Sequence, residues 1–266
     1  MRAWRRHFLE QAAQWDATTR VALTVAVLIL LAMLALGIWG DGSVRLGASI
    51  GAATAFIMAQ VVILWGNRQM VTPYTQAQRH YLNAEFEQAA QVLQDALQDT
   101  PQSVAMLTLL GNTYRQMGQL TESRRVLYEA VDISQKDYFP AYGLGRTLLV
   151  MGEYPQAVAL LHSALDLGAP PIVRGDLAEA YYRLGSLEDA RHQLQQLPQR
   201  LDVEPYRALM LVYLADQLGV APIAYRGALD EGLPYWENSA VRFADTPYGM
   251  ALQQELVTIK TFIRGE

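Results

Sequence analysis

Residues 110–130 read LGNTYRQMGQLTESRRVLYEA, and this stretch sets the pattern on which the fold rests. Its leucines and small residues return 34 positions later, and after a further 33 positions they return again. The matched positions are Leu110, Gly111, Tyr114, Gly118, Ser123, Leu127 and Ala130; Leu144, Gly145, Leu148, Gly152, Ala157, Leu161 and Ala164; and Leu177, Ala178, Tyr181, Gly185, Ala190, Leu194 and Leu197. Self-similarity at a fixed period of this length predicts a repeat architecture.

Two further copies flank these three. The upstream copy keeps most small and apolar positions but has Ala84 where the others have glycine. Its matched positions are Ala77, His80, Ala84, Ala89, Leu93, Ala96 and Pro101, and those of a degenerate fifth copy are Val212, Ala215, Gly219, Ala224 and Ala228. The repeat region therefore extends over residues 70–232, with four clear units and a degenerate fifth.

Each copy predicts two antiparallel helices. Apolar residues three and four positions apart give each helix one apolar face. Small residues such as Gly111 and Ser123 fall where the two helices cross, and Gly118 falls where the first helix ends, because glycine accepts the positive φ of a C-cap. Since a single pair cannot bury its apolar faces alone, neighbouring pairs must stack into a continuous solenoid.

This pattern resembles the tetratricopeptide repeat (TPR) family over residues 70–232. The resemblance implies an all-α solenoid in which the first helix of each unit lines a concave groove that binds a protein or peptide partner. The positions that it assigns to the groove are Tyr74, Gln78, Tyr81, Thr108, Asn112, Arg115, Tyr142, Arg146, Glu179, Tyr182 and Arg183. Tyrosine and arginine are enriched among residues that dominate binding energy. Only Asn112 and Arg146 match the set with which some TPR proteins grip a carboxyl-terminal carboxylate, so that ligand is not expected.

Two apolar blocks precede the repeats. Residues 21–39 and residues 46–66 contain no charged side chain, and a helix needs about 20 apolar residues to cross a bilayer. The short segment between them favours a transmembrane helical hairpin over residues 21–67. A signal peptide followed by a buried core helix is the alternative, but the first block is too long for a signal and no small-residue cleavage site follows it.

The arginines flanking these blocks predict the orientation. Residues 1–20, a basic amino-terminal arm, carry four arginines, whereas the loop between the blocks carries Arg45 alone. Positive residues collect on the cytoplasmic side of a membrane. We therefore expect a multi-pass protein of the plasma or inner membrane, with both termini and the solenoid in the cytoplasm.

Small residues recur at every fourth position of the second block, at Gly47, Gly51, Ala55 and Ala59. Such a stripe allows another helix to approach closely within the membrane. It predicts packing within the hairpin, and dimerisation or contact with a larger membrane complex is the alternative.

Composition excludes several classes of function. The chain has no cysteine, which removes disulfides and thiolate metal sites, and its net charge of −5 argues against nucleic-acid binding. None of the four histidines has the spacing of a metal site, and Gly143-Leu144-Gly145 lacks the third glycine of a dinucleotide loop. We expect no metal, no cofactor and no enzyme activity.

The carboxyl-terminal residues 233–266 are predicted to form capping helices separated at Pro247. An active site within them is disfavoured, because the segment is too small to build its own pocket. The leading interpretation is a membrane-tethered TPR scaffold or adaptor that recruits a protein or peptide partner to the bilayer. The alternative is an assembly or quality-control subunit of an integral-membrane complex, contacted mainly through the transmembrane hairpin.

Overall fold

The structure is a computed structural model that describes residues 17–67, 72–198, 200–221 and 224–264. The chain divides into two compact units, residues 1–72 and residues 73–266. Helix dominates the described residues of both units, as the sequence predicts. Most of the basic arm predicted at residues 1–20 lies outside the described residues, and its last four residues belong to the first helix.

The first unit is a helical hairpin. Helix α1 spans Ala17–Trp39 and helix α2 spans Gly42–Asn67, with a connection of only two residues. Both helices are long and apolar enough to cross a membrane, and their apolar windows are only 6% and 17% buried. A core helix of a soluble domain would bury most of this surface.

The two helices pack through small residues. Ala55 and Ala59 are 6% exposed, and Gly51 lies so close to Met33 of α1 that an added Cβ would come within 2.7 Å of its sulfur. Gly47 falls outside this face, since its Cβ position has nothing within 4 Å. Ala48, which is 4% exposed, takes that place in the packed face. The stripe was predicted to begin at Gly47, and the packed face instead begins one residue later, at Ala48.

The second unit begins with four complete helix pairs. In chain order the helices are α3 (Pro73–Leu82), α4 (Phe86–Asp99), α5 (Val104–Gln116), α6 (Leu120–Ile133), α7 (Tyr138–Met151), α8 (Tyr154–Asp166), α9 (Val173–Leu184) and α10 (Leu187–Gln195). Helix α11 (Pro205–Gln217) follows as the first helix of the fifth copy. We call the face formed by α3, α5, α7, α9 and α11 the inner face.

Small residues allow close crossings within each pair. A Cβ added to Gly145 would come within 2.9 Å of the side chain of Leu161, and one added to Gly111 would overlap Leu127. Ser123 replaces the usual small apolar residue, and its hydroxyl donates to the carbonyl of Gly111 at 2.7 Å. The buried hydroxyl is therefore satisfied, as a buried polar group must be.

The turns between paired helices have the predicted backbone. Gly118, Gly152 and Gly185 have positive φ, between 77° and 85°, and Gly219, which follows the unpaired α11, has a φ of 61°. Ala84 stands at the same turn in the first pair and has a φ of 60°, although the left-handed region is unfavourable for a residue with a Cβ.

The fifth copy departs from the repeat. No second helix lies between α11 and residue 229 among the residues described there; a two-residue strand β2 (Ala224–Tyr225) pairs in parallel with β1 (Arg200–Leu201). A short 3-10 helix, Leu229–Gly232, follows. Pro222 and Gly227 interrupt the periodic sequence here, and both residues disfavour helix. The degenerate fifth unit thus has one α-helix instead of two.

Two helices close the chain, α12 (Leu233–Arg242) and α13 (Pro247–Arg264), with Pro247 at the start of the second. They do not stack only on the last repeat, because they contact first helices from α5 to α11. Phe243, Tyr248 and Leu252 belong to the same buried cluster as Leu127 and Leu177 of the repeats. The main core is therefore completed by the carboxyl-terminal segment.

Candidate functional site

The inner face of the second unit holds the residues that the sequence assigns to a partner groove. The structure divides this face into an open part, formed by α3 and the exposed side of α5, and a part covered by α12 and α13. The two parts differ in exposure and in the partners of their polar groups, so we describe them separately.

Helices α12 and α13 contact the first helices of four repeat units, namely α5, α7, α9 and α11. Arg242 donates to the side-chain oxygen of Gln116 on α5 at 2.6 Å, and the ring of Pro247 packs on Gly152 at the end of α7. The indole of Trp236 donates to the backbone carbonyl of Tyr206 on α11 at 2.7 Å. The contacts to α9 are ionic and are described below.

Asp176 of α9 is the centre of one charged cluster. Its carboxylate lies 3.0 Å from a guanidinium nitrogen of Arg207 and 3.3 Å from one of Arg146. The hydroxyl of Tyr142 donates to the same carboxylate at 3.0 Å and accepts from Arg207 at 2.6 Å. Burial opposes ionisation of Asp176, but Arg207 and Arg146 outweigh it and hold its pKa below the ordinary value.

Arg183 is the centre of a second cluster that joins α9 to α13. Its guanidinium lies 2.7 Å from Glu255 of α13 and 3.6 Å from Glu179. Tyr248, also on α13, donates from its hydroxyl to Glu179 at 2.8 Å, and its ring lies 4.9 Å from the guanidinium carbon of Arg183. Burial raises the pKa of Glu179 and, with the Glu179 charge, raises the pKa of Tyr248, which keeps that hydroxyl a donor.

Arg115 of α5 has no such acidic partner. It is 4% exposed, and both of its hydrogen bonds leave from Nη1, to the side-chain oxygen of Asn112 at 2.7 Å and to the carbonyl of Gly143 at 3.3 Å. No carboxylate of the described residues lies within 4 Å of its guanidinium. A cavity of about 40 Å³ lies beside it, bounded by Arg146, Arg207 and the carboxyl-terminal helices.

The predicted groove residues fall into two groups. Tyr74, Gln78, Tyr81 and Asn112 are exposed or half-buried in the open part. Arg115, Tyr142, Arg146, Glu179 and Arg183 belong to the clusters and cavity of the covered part, and Tyr182 is half-buried beside Arg183. Thr108 is buried, with its hydroxyl donating to the carbonyl of Val104, so it is not available to a partner.

Several residues of the covered part were not predicted from sequence. Asp176 lies three positions before Glu179 and so shares its helix face, which is a signal that could have revealed it. Arg207 lies on the degenerate fifth copy, where the register is weak. Trp236 and Tyr248 lie outside the repeats, and no periodicity indicates which face they cover.

No group of three or more metal-binding side chains is present in the part of the chain that the structure describes. The charged groups of the two clusters are paired with one another or with tyrosine hydroxyls, whereas Arg242 donates to Gln116 and Arg115 has no acidic partner among the described residues. The arrangement is suited to binding and to holding helices together.

Comparison with known proteins identifies the repeats. A family model described as tetratricopeptide repeat matches residues 81–144 and 148–211. Comparison with curated protein sequences gives no match.

Solved structures with a similar fold include a thermophilic TPR protein of Thermus thermophilus, at 21% identity and a TM-score of 0.49, covering 66% of this chain and 97% of that one. A second is MamA from Desulfovibrio magneticus RS-1, at 16% identity and a TM-score of 0.46, covering 69% of this chain and 94% of that one.

Proposed function

Because residues 81–211 belong to the tetratricopeptide repeat family, a family of protein-interaction modules, we propose that this chain is a membrane-tethered scaffold that recruits a protein or peptide partner. The observation that carries the proposal is the combination of an apolar helical hairpin with a repeat unit whose inner face keeps one open part. The hairpin supplies the tether, and the open part supplies the docking surface.

The exposure of the hairpin supports the tether. Its outward-facing side chains include Leu28, Leu31, Ile57 and Leu64, which are between 56% and 70% exposed. A contiguous apolar surface of this extent is unfavourable in water and is matched by the hydrocarbon of a bilayer. We place both termini and the repeats on the cytoplasmic side, as the arginines around the hairpin indicate. Reporter fusions at Ser43 and after Glu266 test this orientation, which a cytoplasmic signal at Ser43 would contradict.

The open part of the inner face supports the docking surface. Tyr74 and Tyr81 present partly exposed rings on α3, with Gln78 between them and Asn112 on the neighbouring first helix. Tyrosine gives a large contact area and a directional hydroxyl for little conformational entropy, and an amide can bind the backbone of an extended chain.

The experiment is crosslinking and co-purification of the full chain from its native membranes, with substitutions in the open part. We expect Tyr81→Ala to weaken capture of the partner by about 30-fold, since a hot-spot tyrosine contributes about 2 kcal/mol. The matched control is Tyr128→Ala, because Tyr128 is 45% exposed but lies on a second helix, away from the inner face. Equal capture by both variants, or capture by a chain lacking residues 70–232, would contradict the proposal.

The alternative, a subunit of a membrane complex, was based on the stripe of small residues on α2. Gly51, Ala55 and Ala59 are used for packing between α1 and α2, so they are not a free surface for another helix. We therefore propose the scaffold alone. Leucine at Gly51 should disturb the hairpin itself, and loss of a complex on that change would not separate the two roles.

A further inference from the structure

The guanidinium of Arg115 is a buried cation without a counter-ion. Its two hydrogen bonds use Nη1 and go to neutral oxygens. Nε and Nη2 make no hydrogen bond within the described residues, and they are not fully enclosed, since Arg115 lines the cavity. Burial, together with the nearby charge of Arg146, lowers the pKa of Arg115. A buried ion is costly unless it is paired, and an unexplained polar group in a cavity is a sign of a bound ion or water.

The charges around the cavity do not balance. The charged groups that line it are three guanidinium groups, those of Arg115, Arg146 and Arg207, and two carboxylates, those of Asp176 and Glu179. One negative charge is therefore missing from the lining. Glu204 lies 3.6 Å from Arg207, but it is 63% exposed, and water screens it from the cavity.

The cavity has the size and walls for a small organic anion. Its volume of about 40 Å³ leaves room for roughly three water molecules at the 10–15 Å³ that each requires. Leu149, Met210 and Phe243 form apolar walls, whereas Arg115 and Arg207 line it with guanidinium groups. The cavity can therefore hold a small molecule that has a negatively charged group at one end and a short apolar part at the other.

We propose that this cavity binds one small carboxylate anion, which pairs with Arg115 beneath the carboxyl-terminal helices. A guanidinium presents two parallel N–H groups that match the two oxygens of a carboxylate. One carboxylate supplies the single missing charge, whereas a phosphate dianion would exceed it. The site adjoins the open part of the inner face through Asn112, whose side-chain oxygen accepts from Arg115, but the anion would lie on the covered side of that arginine.

The test is thermal unfolding of the full chain in detergent micelles at pH 7, with acetate and formate as probes. We expect each to raise the unfolding midpoint saturably, because a ligand that binds only the folded state stabilises it. Chloride and sulfate at equal ionic strength should give no saturable rise, although sulfate can raise the midpoint gradually because it is excluded from protein surfaces. A free chain end is the other source of a carboxylate, so acetyl-trialanine is compared as the free acid and as the amide.

Arg115→Met removes the charge and retains an apolar chain. It should abolish the response to acetate, whereas Arg125→Met, which removes an exposed arginine of α6, should retain it. Saturation transfer from the wild-type protein to the acetate methyl group gives a second measurement that needs no variant.

Several outcomes would overturn the proposal. They are no saturation transfer in the wild-type protein, an equal response to all the anions, a response that survives in Arg115→Met, and a response confined to the peptide acid.

Discussion

Two glycines with the same backbone conformation provide a test of where the carboxyl-terminal segment lies. Gly152 ends α7 with a φ of 85°, and Gly185 ends α9 with a φ of 83°. Their surroundings differ, because an added Cβ at Gly152 would come within 2.8–3.0 Å of the ring of Pro247, whereas one at Gly185 meets nothing within 4 Å. Alanine at both positions therefore carries the same backbone penalty, and only one variant disturbs the docked segment.

The expected magnitudes follow from this difference. The left-handed conformation costs an alanine about 1–2 kcal/mol, and the reduced entropy of the unfolded chain offsets about 0.4–1 kcal/mol. Gly185→Ala should therefore lower the free energy of unfolding by about 1 kcal/mol. Gly152→Ala adds overpacking against Pro247, which costs about 1–3 kcal/mol in a packed core, so its total should reach about 2–4 kcal/mol.

The assay is urea unfolding of the full chain in detergent micelles, followed by helical circular dichroism. With a slope of about 2 kcal/mol per molar urea, the midpoint of Gly152→Ala should lie about 0.5–1.5 M below that of Gly185→Ala. A second substitution, Pro247→Ala, should recover part of the loss in Gly152→Ala and none in Gly185→Ala. Equal midpoints for the two glycine variants would refute the docking of α13 against the turn after α7.

Three further predictions follow. Ala84→Gly should raise the free energy of unfolding by about 0.5 kcal/mol in the same urea assay, since Ala84 has a φ of 60°, and a lower midpoint would contradict the assigned turn. Asp176→Asn should cost about 3–5 kcal/mol because it leaves two buried guanidinium groups without their carboxylate, whereas Glu204→Gln, on the exposed side of the same cluster, should cost under about 1 kcal/mol. Because the pKa of Asp176 is lowered in the folded protein, its contribution is present above the unfolded pKa and is lost as pH falls through the folded one, so acid unfolding curves should lose this component in Asp176→Asn. Gly51→Leu should overlap Met33 and separate the two hairpin helices, seen as loss of crosslinking between cysteines introduced on them, and unchanged crosslinking would contradict the packing.

The sequence period predicted the helix pairs because every unit needs the same residue types at its helix crossing and at its turn. A small residue such as Gly145 is needed where two paired helices cross, and glycine is favoured at the turn where they reverse, so both recur with the repeat. The placement of α12 and α13 has no such signature, since a segment outside the repeats packs once and leaves no period. The prediction of a second helix in the fifth copy was wrong. Ala224 and Ala228 fit the repeat spacing, but Pro222 and Gly227 lie next to them and disfavour helix.

The candidate site shows the same limit. Sequence placed Arg146 and Arg183 on the inner face, but the side chains that they contact come from distant parts of the chain. Asp176 could have been predicted, because it lies three positions before Glu179 on the same helix face. Glu255 could not, because it is 72 residues beyond Arg183 and lies outside the repeats. Which polar residues of a groove remain free for a partner therefore depends on tertiary contacts that a local pattern does not contain.

An arginine on the inner face is by itself a poor sign of partner binding in this chain. The chemistry that would hold an external carboxylate also holds an internal one, as the ion pair between Arg183 and Glu255 illustrates. The useful distinction is whether the chain supplies the counter-ion. Arg146 and Arg183 have one within 4 Å, so replacing either would weaken the fold before it weakened any recruitment. Arg115 has none among the described residues, which makes it the position where loss of charge should remove binding of an external anion without breaking an internal ion pair.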